Sequence, residues 1–567
     1  MKIKSLLLGS LAIAGMSGLA TGAQAADLAK GVMTSLDVCD ALGLSGLTIS
    51  SDTDCLQITG GVSYMFSWGD YKAGTGTAAG GLGLIMTPTQ NPFRIPQPGN
   101  SSATGTGLPG TNADWDSQMI AWLQVVGTAD SDFGPAKVVI HMKSEQYRHS
   151  ANGFGWFDGG DTGGVTTNVG WGEYNSAGSP HATGDSPSGT VVFDQAYVSV
   201  GDSTVLTAGY TGSVADVNDD TPLNYLGLFN SDGVGTGVLW SVKNQSGGRT
   251  YTDPNGLGGT TDGSGADVHL GGESIQLTSS LGNGVTLKGG LEDINDTNNA
   301  RAGTAVGVIA YAGDNITAHL TLIEAGILDG HPDVTAYHAG FTGTFDKVSI
   351  VGAIAGDSTG YYDGLVSAQL GLDMFKLAAS GEFLHYSSDA SNTATLPGPG
   401  GAGTDPAAGK NAWGAGLSGT MALSDGISLN LGGRYFDADS SVSDNEGYQI
   451  AASLVAAVTE TITLTGEVGV YGTDGAINTQ TCGATNGPAS LAAAPVGPAG
   501  CAGITNANQT RGASIGSPVI PGTWYDVWYG AASVAWAPGG GFTSSLKGAA
   551  YSNGAYQLTF NAAKNFQ

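Results

Sequence analysis

Residues Leu56 to Trp68 read Leu-Gln-Ile-Thr-Gly-Gly-Val-Ser-Tyr-Met-Phe-Ser-Trp. The even positions of this stretch carry mostly apolar and aromatic side chains, whereas the odd positions carry mostly polar or small ones. Successive side chains of a β-strand point to opposite faces of a sheet, so the pattern predicts a strand with one apolar and one polar face. The same alternation recurs at Ala136 to Lys143 and at Ile427 to Phe436. The sequence therefore predicts an all-β protein.

The segments between the predicted strands alternate between short turns and long polar connections. The short ones have hairpin-turn chemistry, as in Gly201-Asp202-Ser203 and Ser424-Asp425-Gly426. The long ones are rich in Gly, Asp, Asn, Ser and Thr, and they cover about 69–117, 147–190, 212–272, 387–411 and 472–523. Short turns at one end of a sheet and long loops at the other are typical of a transmembrane antiparallel β-barrel.

Two tryptophans on one predicted strand fit the same architecture. Trp528 and Trp536 lie on one face of the segment 524–536, with small and apolar residues between them on that face. Eight residues at about 3.3 Å each span about 26 Å. A tilt of about 40° reduces this to roughly 20 Å of height, close to the apolar band of about 25 Å in an outer-membrane barrel. We expect these tryptophans to mark the two membrane interfaces, where aromatic rings concentrate.

The composition narrows the class of protein. Of 567 residues, 95 are Gly, and charged residues make up 12% of the chain, about half the usual share. This excludes a coiled coil and a chain kept disordered by charge. The 48 acidic residues exceed the 19 basic ones, and the resulting net charge of -29 argues against a nucleic-acid partner. A soluble sandwich or solenoid is the alternative, but the sequence has no fixed repeat period.

The N-terminus has the features of an export signal. Lys2 and Lys4 precede an apolar segment from Leu6 to Leu19, and Ala23-Gln24-Ala25 fits a small-residue cleavage site. The apolar segment is shorter than the roughly 18 to 20 residues that a spanning helix needs. We therefore predict a signal peptide over residues 1–25 and an exported mature chain.

The four cysteines agree with an oxidising compartment. They fall into two local pairs, Cys39 with Cys55 and Cys482 with Cys501, at spacings of 16 and 19 residues. Neither spacing matches the Cys-x-x-Cys of metal or redox sites. Two local disulfides are the plainest interpretation, and spacing alone leaves three connectivities open.

Three N-terminal segments carry a resemblance to a known family. Residues 1–10 read Met-Lys-Ile-Lys-Ser-Leu-Leu-Leu-Gly-Ser, residues 38–41 read Val-Cys-Asp-Ala, and residues 53–64 read Thr-Asp-Cys-Leu-Gln-Ile-Thr-Gly-Gly-Val-Ser-Tyr. Together they resemble the start of the alphaproteobacterial, rhizobial-type porins, and residues 193–210 show a looser similarity.

The resemblance implies a homotrimeric channel in the outer membrane of a Gram-negative bacterium, with roughly 16 antiparallel strands and a third outer loop folded into the lumen. Our count of alternating segments is 20, so we expect an even number from 16 to 20. The expected partners are outer-membrane lipid and lipopolysaccharide, the barrel assembly machinery, and small ions and solutes. The expected division is a signal peptide at 1–25, a periplasmic segment with a disulfide at 26–55, and a barrel at 56–567 with its third loop at 212–272.

The expected third loop is acidic. If the first five strands lie near 56–68, 118–128, 136–146, 191–200 and 204–211, this loop begins at Gly212. A ring of carboxylates at a constriction concentrates cations. The candidates for such a constriction are Asp216, Asp219, Asp220 and Asp232. The other interpretation is a solvated outer loop.

Strand parity also predicts which charged side chains face the lumen. A Lys or Arg on the lipid face near the midplane costs about 2–4 kcal/mol, so charges are expected on inward positions. The inward candidates are Lys137, His141, Lys143, Glu145, Lys288, Glu292, Lys376, Glu382, Arg434 and Glu467. If Arg434 and Lys288 face the loop acids, the pore carries a transverse field; otherwise each is a solvated lumen residue.

Motifs of enzymes occur only in the wrong setting. Gly512-Ala513-Ser514-Ile515-Gly516 fits the nucleophile-elbow pattern, but it lies in a predicted loop without the flanking strand and helix. We therefore predict no catalytic residues, no cofactor and no metal site. The predicted function is passive diffusion of small hydrophilic solutes and ions through a water-filled outer-membrane channel that favours cations. The alternative is a secreted or surface β-rich adhesin or structural protein.

Overall fold

The computed structural model describes residues 39, 47–51, 53–70, 114–149, 191–219, 221–225, 270–294, 303–328, 334–358, 361–386, 397–398, 401–402, 411–439, 444–474 and 524–566. The predicted signal peptide at 1–25 therefore lies outside the described residues, as do Asp220, Asp232, Cys482 and Cys501. Among the described residues, no helix has the length and apolar character needed to cross a membrane.

Strands make up nearly all of the described chain. They are β1 (Leu47–Ser50), β2 (Asp54–Asp70), β3 (Asp114–Ala129), β4 (Ala136–His149), β5 (Val191–Gly201), β6 (Thr204–Thr211), β7 (Gly272–Gly282), β8 (Val285–Glu292), β9 (Thr304–Ala312), β10 (Ile316–Ala325), β11 (Val334–Phe345), β12 (Val348–Asp357), β13 (Tyr361–Gly371), β14 (Phe375–Tyr386), β15 (Pro397–Gly398), β16 (Gly401–Ala402), β17 (Asn411–Ser424), β18 (Ile427–Asp439), β19 (Asp444–Ala457), β20 (Ile462–Asp474), β21 (Trp524–Gly539), β22 (Phe542–Tyr551) and β23 (Tyr556–Phe566).

Twenty of these strands form one closed antiparallel barrel. Each strand from β2 to β14 pairs with the next, β14 pairs with β17, and the order continues to β23. β23 then pairs back with β2, from Gly60 opposite Phe566 to Asp70 opposite Tyr556. A closed sheet satisfies the backbone hydrogen bonds of every strand, which a hydrocarbon environment requires. The predicted fold class is confirmed, with the strand number at the upper end of the expected range.

The short strand β1 extends the barrel wall beyond the C-terminal end of β23, along the same edge of β2. Leu47 pairs with Ile58 of β2, and Ser50 pairs with Cys55. β23 stops at Phe566 opposite Gly60, so β1 and β23 lie in line along β2. Residues 47–50 and the start of β2 thus pair within the same sheet as the barrel strands, because β2 extends past the end of β23.

The two faces of the barrel wall differ in polarity, as the sequence alternation predicts. On β13, Val366 is 61% exposed on the outside, whereas the next residue, Ser367, is 1% exposed on the inside. On β10, Leu320 and Leu322 are exposed, and Thr321 between them is buried. Large exposed apolar side chains recur at such outward positions around the ring. An apolar outer surface on a closed barrel is the surface that a bilayer requires.

Short turns join the strands at one end of the barrel. Between β7 and β8, Asn283 and Gly284 have φ values of 53° and 81°, the left-handed backbone that Asn-Gly adopts readily in tight hairpins. The connections at the other end are longer and include residues 71–113, 150–190 and 475–523. The connection after β6 is described in its first part, and this part lies against the inner wall.

Candidate functional site

The chain that leaves β6 turns toward the lumen and follows the inner wall. We call its described residues, 212–219 and 221–225, the strap. In chain order, the strap forms hydrogen bonds with residues of β8, β10, β11, β13, β14 and β17. It therefore lies along the arc of eight strands from β8 to β17 and leaves the opposite arc of the wall uncovered by these residues.

Glu292, at the end of β8, holds both ends of the connection that contains the strap. Its side chain is fully buried and accepts hydrogen bonds from the backbone N–H groups of Val214 and Gly271, each at 2.7 Å. A third donor is Gln276 Nε2, at 3.1 Å. Val214 lies just after β6 and Gly271 just before β7, so one carboxylate joins the exit and the return of the chain. These donors offset the cost of burying the carboxylate.

Serine and threonine hydroxyls on the inner wall hold the middle of the strap. The backbone N–H of Leu223 donates to Ser367 Oγ at 2.8 Å, and that of Tyr225 donates to Ser418 Oγ at 3.1 Å. Ser380 Oγ donates to the carbonyl of Leu223 at 3.3 Å. Sequence reasoning missed these wall residues. The sequence pattern that could have identified them is a hydroxyl side chain at an inward position beside an outward apolar residue, such as Ser367 after Val366.

Apolar side chains of the strap also pack against the wall. Val214 belongs to a buried cluster with the inward residues Val306, Val308 and Ile323 of β9 and β10. Leu223 packs against a second cluster on β12 and β13, which is formed by Val351, Ala353, Ala355 and Leu365. This part of the inner wall is apolar where the strap covers it, so the strap replaces water with packed side chains there.

The two described acids of the predicted constriction contact the wall beneath the strap. Asp216 Oδ2 lies 3.5 Å from Lys288 Nζ, and Asp219 Oδ2 lies 3.5 Å from His319 Nδ1. Asp219 Oδ1 accepts hydrogen bonds from Thr317 at 3.0 Å and from Thr342. His319 Nε2 in turn lies 2.7 Å from Nδ1 of His338, which the sequence reasoning also missed. The structure therefore brings Lys288 to the loop acids and surrounds both carboxylates with partners.

Arg434 lies in a different network, on β18 to β21. Its Nε donates to Gln449 Oε1 at 3.0 Å, and Gln449 Nε2 donates to the hydroxyl of Tyr529 at 3.2 Å. Tyr529 donates to Glu467 Oε1 at 2.6 Å and stacks with Tyr471 at a centroid distance of 4.9 Å. Arg434 and Glu467, both predicted from parity, are thus connected through a glutamine and a tyrosine that parity alone did not mark.

A third group of inward residues lies on β3 to β5. His141 Nδ1 contacts Asp194 Oδ1, and the His141 ring stacks with the indole of Trp122 at a centroid distance of 5.4 Å. Lys143 Nζ lies 3.1 Å from Glu145 Oε2, and the other carboxylate oxygen of Glu145, Oε1, accepts a hydrogen bond from Gln118 Nε2. The predicted residues His141, Lys143 and Glu145 therefore lie together, and the sequence reasoning missed Trp122 beside them.

The remaining predicted lumen residues lie next to outward apolar neighbours. Lys137 precedes the exposed Val138, Lys376 lies between the exposed Phe375 and Leu377, and Glu382 precedes the exposed Phe383. On a strand these three charges therefore point to the inner side of the wall.

Trp528 and Trp536 are both exposed on the outer face of β21, toward its two ends. Cys39 and Cys55 form a disulfide. In the described part of the chain, no group of three or more His, Cys, Asp or Glu residues has an arrangement that could hold a metal ion.

The fold is a membrane-spanning β-barrel of the outer-membrane type. No protein-family model and no curated protein sequence matches the chain. Among solved structures, it is similar to the anion-selective porin from Comamonas acidovorans, at 11% identity and a TM-score of 0.33, with 90% of this chain and 100% of that chain covered. It is also similar to OccAB3 of Acinetobacter baumannii, at 9% identity and a TM-score of 0.38, with coverages of 90% and 99%. A third similar structure is OccK5 (OpdH) of Pseudomonas aeruginosa, at 7% identity and a TM-score of 0.36, with 90% of this chain and 98% of that chain covered.

Proposed function

We propose that this protein is an outer-membrane porin, a water-filled channel through which small hydrophilic solutes and ions diffuse passively. The observation that carries the proposal is the distribution of polar and apolar side chains in the closed barrel, which is the reverse of that in a soluble protein. Its outer face bears exposed apolar side chains, whereas charged residues such as Lys143, Glu145 and Lys288 lie on its inner face. An apolar exterior suits lipid, and a charged interior suits water. The strap narrows this interior from one side.

The test is conductance of the purified protein in planar bilayers. A porin gives stepwise increases in current as single barrels insert, with a conductance proportional to salt concentration at high salt. Heat-unfolded protein is the control, because it retains the sequence but not the barrel. Absence of stepwise conductance from folded protein would contradict the proposal. The adhesin alternative is not favoured, because it would leave the apolar exterior in contact with water.

We further propose that the channel favours cations. The support is the excess of acidic residues, 48 against 19 basic ones, together with Asp216 and Asp219 on the strap. Because Asp216 has Lys288 as a neighbour and Asp219 has His319, we expect a weak preference. The reversal potential under a salt gradient measures it, and a potential directed toward the anion would overturn this proposal without affecting the porin proposal.

We also propose a homotrimer. A depression of about 760 Å³ lies beside β1, and its lining includes the outward residues Leu56, Val138, Val198 and Leu206. An apolar depression on the outer face suits a neighbouring protomer as well as lipid. The other proposed partners are outer-membrane lipid and lipopolysaccharide around the apolar face, and the barrel assembly machinery at β23. Chemical cross-linking of the detergent-solubilised protein tests the trimer. Detection of the monomer alone after cross-linking would contradict it.

A further inference from the structure

A tryptophan lies on the part of the lumen wall that faces the strap. Ala121 of β3 pairs with Val62, which is exposed on the outside, so Trp122 points into the lumen. β3 is ten strands away from β13 in a ring of twenty, and β13 binds Leu223 of the strap through Ser367. Trp122 therefore lies on the side of the ring opposite the strap, beside the space that the strap leaves open.

The neighbouring strands hold the indole in one position. Gly61 of β2 pairs with Trp122, and a Cβ atom at Gly61 would lie 2.8 Å from Trp122 Nε1. The glycine therefore leaves the space that the indole occupies over β2. On the β4 side, the His141 ring is inclined by 30° to the indole, and the contact of His141 with Asp194 fixes its orientation. The two rings are therefore stacked and held from both sides, and we call the part of this pair that faces the lumen the aromatic surface.

Polar groups border this surface and remain accessible. The side chains of His141, Lys143 and Glu145 are 20%, 22% and 29% exposed. They offer hydrogen-bond donors and acceptors along one edge of the aromatic surface. Lys143 is paired with Glu145, and His141 with Asp194, so each charged group already has a partner. Such a surface offers no unpaired charge to attract an ion.

We propose that Trp122 and His141, bordered by Lys143 and Glu145, form a binding platform for neutral polyhydroxylated solutes, that is, for sugars. The apolar C–H face of a sugar ring can stack on the indole while its hydroxyls exchange hydrogen bonds with the bordering groups. The inference rests on the proposed porin function, because the platform is useful only on a wall that solutes pass.

The test is block of single-channel current by maltotriose. With the unmodified protein, current falls as maltotriose is added, and the half-blocking concentration measures the affinity. Trp122→Ala is expected to raise this concentration about tenfold. Trp122→Phe retains an aromatic face and is expected to keep it within about threefold of the original value. Trp528→Ala, which removes an outward indole, is the control and leaves it unchanged.

The outcomes separate the platform from the channel. A channel that conducts but is not blocked by maltotriose, or whose block does not weaken in Trp122→Ala, overturns the platform alone. Absence of conductance overturns the porin proposal. Stronger block by gluconate or by tetramethylammonium than by maltotriose also overturns the platform, because it assigns the wall to a charged solute. Open-channel conductance of each variant, measured without sugar, shows whether a change in pore width accounts for the result.

Discussion

At the scale of single residues, the decisive interactions lie under the strap and come from pairs distant in sequence. Parity predicts inward positions for Lys288 and Glu292, since each alternates with an apolar outward residue on β8. Parity did not predict that Glu292 binds the two ends of one connection, because this depends on how residues 214 and 271 return to β8. His319 and His338 were not predicted as site residues for the same reason, since they become neighbours only when β10 and β11 pair.

Glu292→Ala removes the acceptor for three buried donors. Leaving such donors unsatisfied costs about 1–3 kcal/mol each, so we expect a loss of at least this size in the free energy of unfolding. Urea titration followed by far-ultraviolet circular dichroism measures the loss. Lys376→Ala, at an exposed position of β14, is the control and is expected to change stability by less than about 0.5 kcal/mol. We call the three hydrogen bonds that Glu292 accepts the Glu292 clamp. Equal stability of the two variants would contradict a stabilising role of this clamp.

Lys288→Met removes the cation beside Asp216. The carboxylate then loses its neighbouring positive charge, and we expect the reversal potential to move further in the cation-selective direction. Lys564→Met is the matched control, because Lys564 lies on the outer face near the end of β23, where its Nζ contacts the carbonyl of Gly540. A shift toward anions in Lys288→Met, or equal shifts in the two variants, would show that Lys288 does not influence the charge that ions encounter beside the strap.

At the scale of elements, strands were largely predictable and the path of the strap was not. The interval 204–211 matches β6, and 56–68 falls two residues short of β2 at each end, because Asp54 and Asp70 lack the apolar character that parity follows. The strap has no periodicity, and its position depends on hydroxyl groups of five strands, β10, β11, β13, β14 and β17, that lie far along the chain. Ser367 and Ser418 follow the strap by more than 140 residues.

Ser367→Ala combined with Ser418→Ala removes two acceptors for strap backbone N–H groups. We expect the strap to detach from β13 and β17 more often, which increases current noise in the open channel and lowers stability by about 1–3 kcal/mol. Ser453→Ala is the control, since Ser453 accepts a hydrogen bond from Asn430 within the wall and not from the strap. Noise equal to that of the control would mean that these hydroxyls do not hold the strap.

A lysine introduced on either face of the wall tests which face of a strand points toward lipid. Val468 is exposed on the outer face of β20, whereas Thr465 lies on the inner face. Val468→Lys places an ammonium in lipid and is expected to cost about 2–4 kcal/mol. Thr465→Lys places it in the lumen, where water solvates it, and is expected to cost much less. Folding titrations in lipid vesicles compare the two, and equal costs would contradict the assignment of the faces.

At the scale of the whole molecule, closure of the barrel depends on the first and last strands together. β2 pairs with β3 on one side, and with β23 followed by β1 on the other. The disulfide between Cys39 and Cys55 ties the chain before β1 to the start of β2. It closes a loop of 16 residues, and for such a loop the stabilisation is about 3 kcal/mol. We expect the Cys39→Ala, Cys55→Ala double variant to lose about this amount in urea titrations, and an unchanged midpoint would contradict it.

The Glu292 clamp has a consequence for protein engineering. One carboxylate accepts hydrogen bonds from the backbone N–H groups of Val214 and Gly271, so the two ends of this connection are fixed next to each other on the barrel. We therefore expect the barrel to remain folded when a short epitope tag is inserted into this connection, so that the barrel serves as a display scaffold on which Glu292 fixes both ends of the insertion.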